Sequence, residues 1–150
     1  MTWEAWQLSQ TRRKQIAEYH MGTLLQKEME FERAFVQAGG LLLAGCDPTG
    51  DGSVLAGFGD QREVELLVRA GFSAVEAIQI ATQHGAEYLG IGDRTGTLQV
   101  GKQADLVVLG GDIEGNISRI ENVEVVFRQG IGYDSSQIIR DVEGVAGLSD

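Results

Sequence analysis

The sequence predicts an α/β fold, and three observations point to it. A short apolar run at residues 41–45, Leu-Leu-Leu-Ala-Gly, shows no polar alternation, which is typical of strands covered on both faces in parallel sheets. Helical patterns flank this run on both sides, and β-rich runs replace them after Gly96. The shift in composition near residue 95 predicts an α/β part over 1–95, a small β part over 96–134 and a C-terminal tail over 135–150.

The first predicted helix covers residues 8–38, which contain no proline and a single interior glycine, Gly22. Apolar residues recur near helical spacing in its second half, and glycines commonly end helices. These apolar residues are Leu24, Leu25, Met29, Phe31, Phe35 and Val36. The helix should therefore end at Gly39 and Gly40, directly before the predicted strand.

Two shorter helices should follow a glycine-rich loop over residues 47–59. Each begins with a capping box, in which an N-cap side chain and a glutamate three residues later bond each other's backbone. The pairs are Asp60 with Glu63 and Ser73 with Glu76. Gly71 and Gly90 should end these helices. The second helix should carry one apolar face, with three further apolar residues filling in beside it. The face consists of Val75, Ile78, Ala81 and Thr82, and the further residues are Ala77, Ile80 and Leu89.

The β part is predicted from runs rich in β-branched residues that are separated by turn residues. The runs lie at 97–100, 104–109 and 123–127, and residues 129–133 suit a tight turn into a last short strand. The tail over 135–147 is weakly helical or loose.

Charge and composition limit the possible partners. The net charge is −10 and the pI is about 4.6, so phosphates of nucleic acids and anionic membrane surfaces would be repelled. No run of eighteen apolar residues exists, and the N-terminus lacks the regions of a secretory signal. If Met1 is the true start, the expected location is cytoplasmic. The single Cys46 allows no internal disulfide.

Asp47 is the best candidate for a functional residue, because it directly follows the apolar run over 41–45. In enzymes built on α/β barrels, the catalytic residues lie at the carboxyl ends of the strands. A carboxylate there could ligate a metal and move a proton. The alternative is a turn cap beside Pro48, since Asp-Pro favours turn initiation.

Other motifs in the chain are weaker. The loop after Asp47 resembles the start of a calcium loop, but Phe58 stands where a bidentate glutamate is needed. Neither His20 nor His84 has a second histidine at metal-ligand spacing, and His84 near a helix end suits the helix dipole. Cys46 has no partner base in the sequence, which argues against a role in nucleophilic catalysis.

Five stretches resemble, in order, the C-terminal portion of the metal-dependent amidohydrolase superfamily, in its imidazolonepropionase- and dihydroorotase-like branch. They lie at 38–47, 63–72, 76–82, 85–90 and 96–109. The most specific run, within the last stretch, reads Gly-Lys-Gln-Ala-Asp-Leu-Val. No stretch is decisive alone, but their order is specific.

The resemblance implies the end of a TIM-barrel amidohydrolase, namely its last helices and eighth strand, followed by part of a small β-sandwich. It implies one or two divalent metals, often zinc, and hydrolysis of non-peptide carbon–nitrogen bonds in an amide or cyclic amide substrate. Asp47 matches the family aspartate that ligates the metal and shuttles the proton at the end of the eighth strand. It is thus both the catalytic and the metal-binding residue expected here.

Two departures from the family pattern bear on activity. Cys46 stands where the family usually has threonine, and the family's His-x-His pair and further ligands have no counterpart in the chain. A catalytic zinc site needs three protein ligands, so Asp47 alone cannot hold the metal. We therefore expect an incomplete chain, inactive and metal-free alone, that associates with the missing N-terminal barrel part or with itself. The alternative is a non-catalytic interaction or regulatory module that completes a split barrel.

Overall fold

The computed structural model describes residues 21–46, 54 and 57–143. The chain divides into two compact units, residues 1–40 and 41–150. In the first, helix α1 spans Met21–Gln37, and Gly39 follows it with a φ of +88°. The predicted helix is confirmed over this range and its residues 8–20 lie outside the described part. In α1 the side chain of Met29 is buried and that of Glu32 is half-buried. This burial, together with the negative charge of Glu28, raises the pKa of Glu32.

The second unit begins with a helical layer. Helix α2 spans Gly59–Arg69 and helix α3 spans Ala74–Gln79. A π-helical turn, Ile80–His84, continues α3 into the short helix α4, Gly85–Tyr88. Because α2 packs against α3, the core lies between them. Its buried side chains are Val64, Leu67, Phe72, Ala74, Ala77, Ile80 and Ala86.

One of the two predicted capping boxes is confirmed. Ser73 is the N-cap of α3: its hydroxyl accepts from the backbone N–H of Glu76, and the Glu76 carboxylate accepts from the Ser73 N–H at 2.7 Å. The box predicted at Asp60 is wrong. Helix α2 begins two residues earlier, at Gly59 with Phe58 as N-cap, so Asp60 lies inside the first turn. There its charge suits the helix dipole, but its side chain is free to bond elsewhere.

The predicted face of the second helix is only partly right, since Ala77 and Ile80 are buried as expected. Val75, Ala81 and Thr82 are exposed, and the side that α2 covers carries Ala74 and Ala77. Small alanines let two helices approach closely, so they face the neighbour although they are less hydrophobic than valine. Beyond residue 80 the π turn takes in more residues than an α turn, which shifts the face that a period of 3.6 residues predicts.

A three-stranded antiparallel sheet forms the β part, in the order β1-β2-β3. Its strands are β1, Leu106–Leu109, β2, Val123–Arg128, and β3, Ile131–Asp134. A 3₁₀ helix, Ile117–Glu121, precedes β2, and helix α5, Ser135–Asp141, follows β3. Gln129 and Gly130, with φ of 53° and 81°, form the two-residue turn that twisted hairpins prefer. The strands predicted at 104–109 and 123–127 and the last short strand are confirmed.

Two predicted strands are not formed. Residues 41–46 and 97–100 join no ladder with any other described residue. In the second case the loop folds on itself instead, because Lys102 Nζ donates to Gly92 O at 2.6 Å and to Thr97 Oγ1 at 2.5 Å. A strand exists only with a partner for its backbone groups, and apolar β-branched sequence cannot supply that partner. Within the described residues, no helix combines the length and the apolar character needed to cross a bilayer.

Candidate functional site

The best candidate site is the chain segment that leads to Asp47. Asp47 itself lies outside the described residues, and so does His20. Residues 41–46, which we call the anchored segment, are described throughout. They have no regular structure, but side chains from two different helical elements bond to them, one near each end.

The first bond holds Leu42. The Nδ1 atom of His84 lies 3.0 Å from the carbonyl oxygen of Leu42, across 42 residues of sequence, and the contact is partly buried. A carbonyl oxygen can only accept, so Nδ1 carries the proton in this bond. His84 is the last residue of the π-helical turn. The sequence predicted only that His84 suits the helix dipole, and it did not predict this contact with Leu42.

The second bond holds Cys46. Its thiol donates to Asp60 Oδ1 at 2.9 Å, and Asp60 lies in the first turn of α2. The hydrogen bond with Asp60 raises the pKa of the thiol, and burial and the nearby negative charge act in the same direction. The thiolate is the nucleophilic form of cysteine. The bond to Asp60 thus favours the neutral thiol as a hydrogen-bond donor, and the expectation that Cys46 is not a catalytic nucleophile stays a prediction.

Close packing supports this second bond. A Cβ atom added at Gly59 would lie 2.8 Å from Cys46 Sγ and 2.8 Å from Val54 Cγ1, both closer than real Cβ contacts. Glycine at position 59 thus lets the start of α2 approach the anchored segment. The sequence places Gly59 at the end of a glycine-rich loop, and only the structure shows what it contacts.

Another side-chain network ties α2 to the β part. Arg62 Nη1 donates to Glu65 Oε2 at 2.5 Å, and Ser118 in the 3₁₀ helix also bonds this carboxylate. Together these bonds lower the pKa of Glu65, with the Arg62 hydrogen bond as the largest cause. The side chain of Glu65 is only 11% exposed. The helix that holds Cys46 is therefore itself fixed against the 3₁₀ helix before β2.

The described residues do not form a metal site. Over 21–46, 54 and 57–143, no three histidine, cysteine, aspartate or glutamate side chains converge in a way that could hold an ion. His84 and Cys46, the only histidine and the only cysteine among the described residues, are each bonded to another protein group. The donor set that zinc requires is not met by these residues.

Comparison with known proteins establishes the family. The model of the amidohydrolase family matches residues 29–131, more than half of the chain. This chain belongs to the amidohydrolase family. The match includes the anchored segment and the position of Asp47. A search of curated proteins found no significant match.

Solved amidohydrolase structures share the fold. A proposed prolidase from Bifidobacterium longum is 30% identical, with a TM-score of 0.60 over 77% of this chain and 30% of its own. A prolidase complexed with N-methylphosphonate-L-proline is 25% identical, with a TM-score of 0.59 over 71% of this chain and 26% of its own. An adenosine deaminase from Xanthomonas campestris with bound zinc, 24% identical with a TM-score of 0.50 over 74% of this chain and 31% of its own, shares the fold only.

The solved relatives are much longer than this chain. It spans between 25% and 31% of the length of six solved proteins that it matches. Family membership and the mixed α/β fold are thus confirmed for this chain. The activity of a whole amidohydrolase belongs to longer proteins, and for this chain it is a proposal.

Proposed function

We propose that this chain contributes the closing part of an amidohydrolase active site, with Asp47 as a metal ligand and proton-transfer group. One observation carries the proposal: the segment entering Asp47 is bonded at Leu42 and at Cys46 by two separate helical elements. Site residues must be held in place by supporting bonds. The family match covers this stretch and includes Asp47.

In the proposed architecture the anchored segment takes the position of the eighth barrel strand, which would form its ladder only with strands from further polypeptide, and the three-stranded sheet is part of a β-sandwich. The register of the sheet supports the second point. Val107, Val126 and Tyr133 lie opposite one another across the three strands, on one face. Val107 is 52% exposed and Tyr133 is 42% exposed. An apolar sheet face of this kind suits packing against a second sheet.

The reaction we propose is metal-dependent hydrolysis of an amide carbon–nitrogen bond in a small molecule. A divalent metal, with zinc favoured by analogy to the deaminase neighbour, would supply a metal-bound water as nucleophile. Since the described residues form no metal site, the other ligands would come from polypeptide beyond them. We accordingly propose that the chain is inactive by itself.

The choice of amide follows the solved relatives. The family resemblance implies a non-peptide amide or cyclic amide, whereas two of the solved relatives are prolidases by name, one of them bound to a proline derivative. We therefore include dipeptides ending in proline among the proposed substrates. A panel of Xaa-Pro dipeptides, cyclic amides and N-acyl amino acids separates these classes.

The decisive experiment restores the rest of a barrel. Residues 29–131 would replace the corresponding part of the prolidase relative, and hydrolysis of the panel would be measured together with bound zinc by elemental analysis. Asp47→Asn should lower the turnover of this chimaera at least about a hundredfold, as loss of a proton-transfer group does. Asp93→Asn, at an exposed position, is the matched control and should leave turnover unchanged.

Two results would oppose the proposal. One is a folded, zinc-loaded chimaera in which Asp47→Asn and Asp93→Asn are equally active. The other is stoichiometric zinc and amide turnover in the 150-residue chain alone, which would contradict the proposed dependence on further polypeptide.

A non-catalytic role is the second candidate. The observation that favours it is the exposure of large apolar side chains, among them Leu98 at 80%, Ile131 at 61% and Phe31 at 71%. Exposed apolar surface marks sites of protein association. A module that only completes a split barrel would keep its affinity for the barrel when Asp47 is replaced, and the complex would keep its activity.

A further inference from the structure

The hydrogen bond between His84 and Leu42 joins two distant parts of the chain and also holds the anchored segment. Leu42 lies five positions before Asp47, in a segment with no ladder to any described strand. Backbone pairing normally orients such a segment. Here the side chain of His84 holds it at Leu42, and the Cys46 thiol bond to Asp60 holds it nearer Asp47.

The local structure brings His84 to this position. Thr82 Oγ1 donates to the carbonyl of Ile78 at 2.6 Å, inside the stretch where α3 widens into the π turn. A hydroxyl that bonds back to a preceding carbonyl competes with the regular helix ladder. Gly85 follows His84 and a Cβ there would meet nothing within 4 Å, so no packing contact selects glycine at this position. π turns of this kind are frequent at functional sites.

The direction of the hydrogen bond determines which nitrogen of the His84 ring carries the proton. The Leu42 carbonyl must receive a proton from Nδ1, so a neutral His84 carries its hydrogen on Nδ1 and none on Nε2. An asparagine amide nitrogen can stand near the place of Nδ1, whereas a glutamine amide nitrogen reaches the place of Nε2. The two substitutions therefore distinguish an Nδ1 donor from mere side-chain volume.

We propose that His84 is a positioning residue for Asp47. Through its Nδ1–H it fixes the backbone of the anchored segment, and thereby the direction in which the chain enters Asp47. This inference rests on the proposed function of Asp47, but the anchoring itself can be tested separately. In this role His84 acts through the Leu42 carbonyl.

The test uses the full chain and nuclear magnetic resonance. Long-range proton–nitrogen correlations of the imidazole report which ring nitrogen is protonated, and nitrogen relaxation reports the order of residues 42–46. In the unaltered chain we expect the Nδ1–H tautomer and backbone order parameters near about 0.85, the rigid range. His84→Asn should keep this order, and His84→Gln should lower it toward about 0.6.

A second readout addresses Asp47 directly. His84→Gln should move the backbone amide resonance of Asp47, whereas His84→Asn should leave it near its original position. A residue that merely fills space would not show rescue by asparagine with failure of glutamine. The tautomer is measured in the unaltered chain, so the proposal stays testable even if a variant does not fold.

The outcomes separate this proposal from the proposed function. An Nε2–H ring in the unaltered chain, or equal order in the Asn and Gln variants, would overturn the positioning role whatever Asp47 does. An intact His84 bond and a rigid segment in the Asp47→Asn chain, alongside an unaffected chimaera, would instead leave the anchor standing and remove the function proposed for Asp47.

Discussion

Truncation of Ile80 should lower the free energy of unfolding more than truncation of any neighbouring side chain in the same helical layer. Ile80 is 2% exposed and is the largest fully buried side chain in the described part of the structure. It also begins the π-helical turn that ends at His84. Its loss would therefore weaken the layer on which the anchored segment depends.

The magnitude depends on the atoms removed. Ile80→Ala deletes three carbon atoms, each worth about 0.8 kcal/mol when fully buried, or roughly 2.4 kcal/mol of transfer free energy. A residual cavity adds to this and the better helix propensity of alanine offsets a few tenths, so we expect about 2–3 kcal/mol. Ile80→Val deletes one carbon and should cost about 0.5–1.5 kcal/mol.

Val75→Ala provides the control in α3, which the π-helical turn of Ile80 continues. Val75 is 52% exposed, so its truncation should cost less than about 1 kcal/mol. The assay is urea unfolding followed by circular dichroism, with the free energy of unfolding extrapolated to water and the slope m compared among variants. If Ile80→Ala costs no more than Val75→Ala at equal m, the assignment of the core to this helical layer is wrong.

Three further outcomes are expected from the contacts described. Ser73→Ala removes the N-cap hydroxyl of α3 and should lower the free energy of unfolding by about 1 kcal/mol; an unchanged urea midpoint would contradict the capping role. Asp60→Asn removes the carboxylate that raises the pKa of Cys46 and should shift the pH dependence of iodoacetamide alkylation to lower pH, toward that of an ordinary thiol of pKa about 8.5; an unshifted profile would show that the thiol does not donate to Asp60. Because the folded-state pKa of Glu65 is lowered, its contribution is present above the unfolded-state value of about 4.3 and is lost as the pH falls through the folded-state pKa. Glu65→Gln should therefore destabilise the chain at pH 7 and matter less below pH about 4 in thermal unfolding, and an equal effect at both would refute the charge-based account.

Local signals in the sequence predicted the ends of the helices well. Gly39, Gly71 and Gly90 follow helices with positive φ, and the Ser73 box begins α3 as expected. These features depend on residues within one turn of each other, so the sequence contains all the information they need. The prediction at Asp60 failed because capping by Asp60 requires the helix to begin at Gln61, two residues later than it does.

The candidate site was only partly predictable. The resemblance to amidohydrolases and the position of Asp47 in the matching stretch came from the sequence, and the family is confirmed. The role of Asp47 stays a prediction, since it lies outside the described residues. Nothing in the spacing indicated that His84 would meet Leu42, because 42 residues separate them.

The sequence by itself determined the helix ends before Gly39, Gly71 and Gly90, the turn between β2 and β3 and the family of this protein, because each rests on residues close together or on their linear order. Tertiary structure alone decided that residues 41–46 are held by His84 and Asp60 instead of by a neighbouring strand. The physical reason is that backbone groups take whichever partners the fold brings within bonding distance, and strand-like residues do not specify those partners.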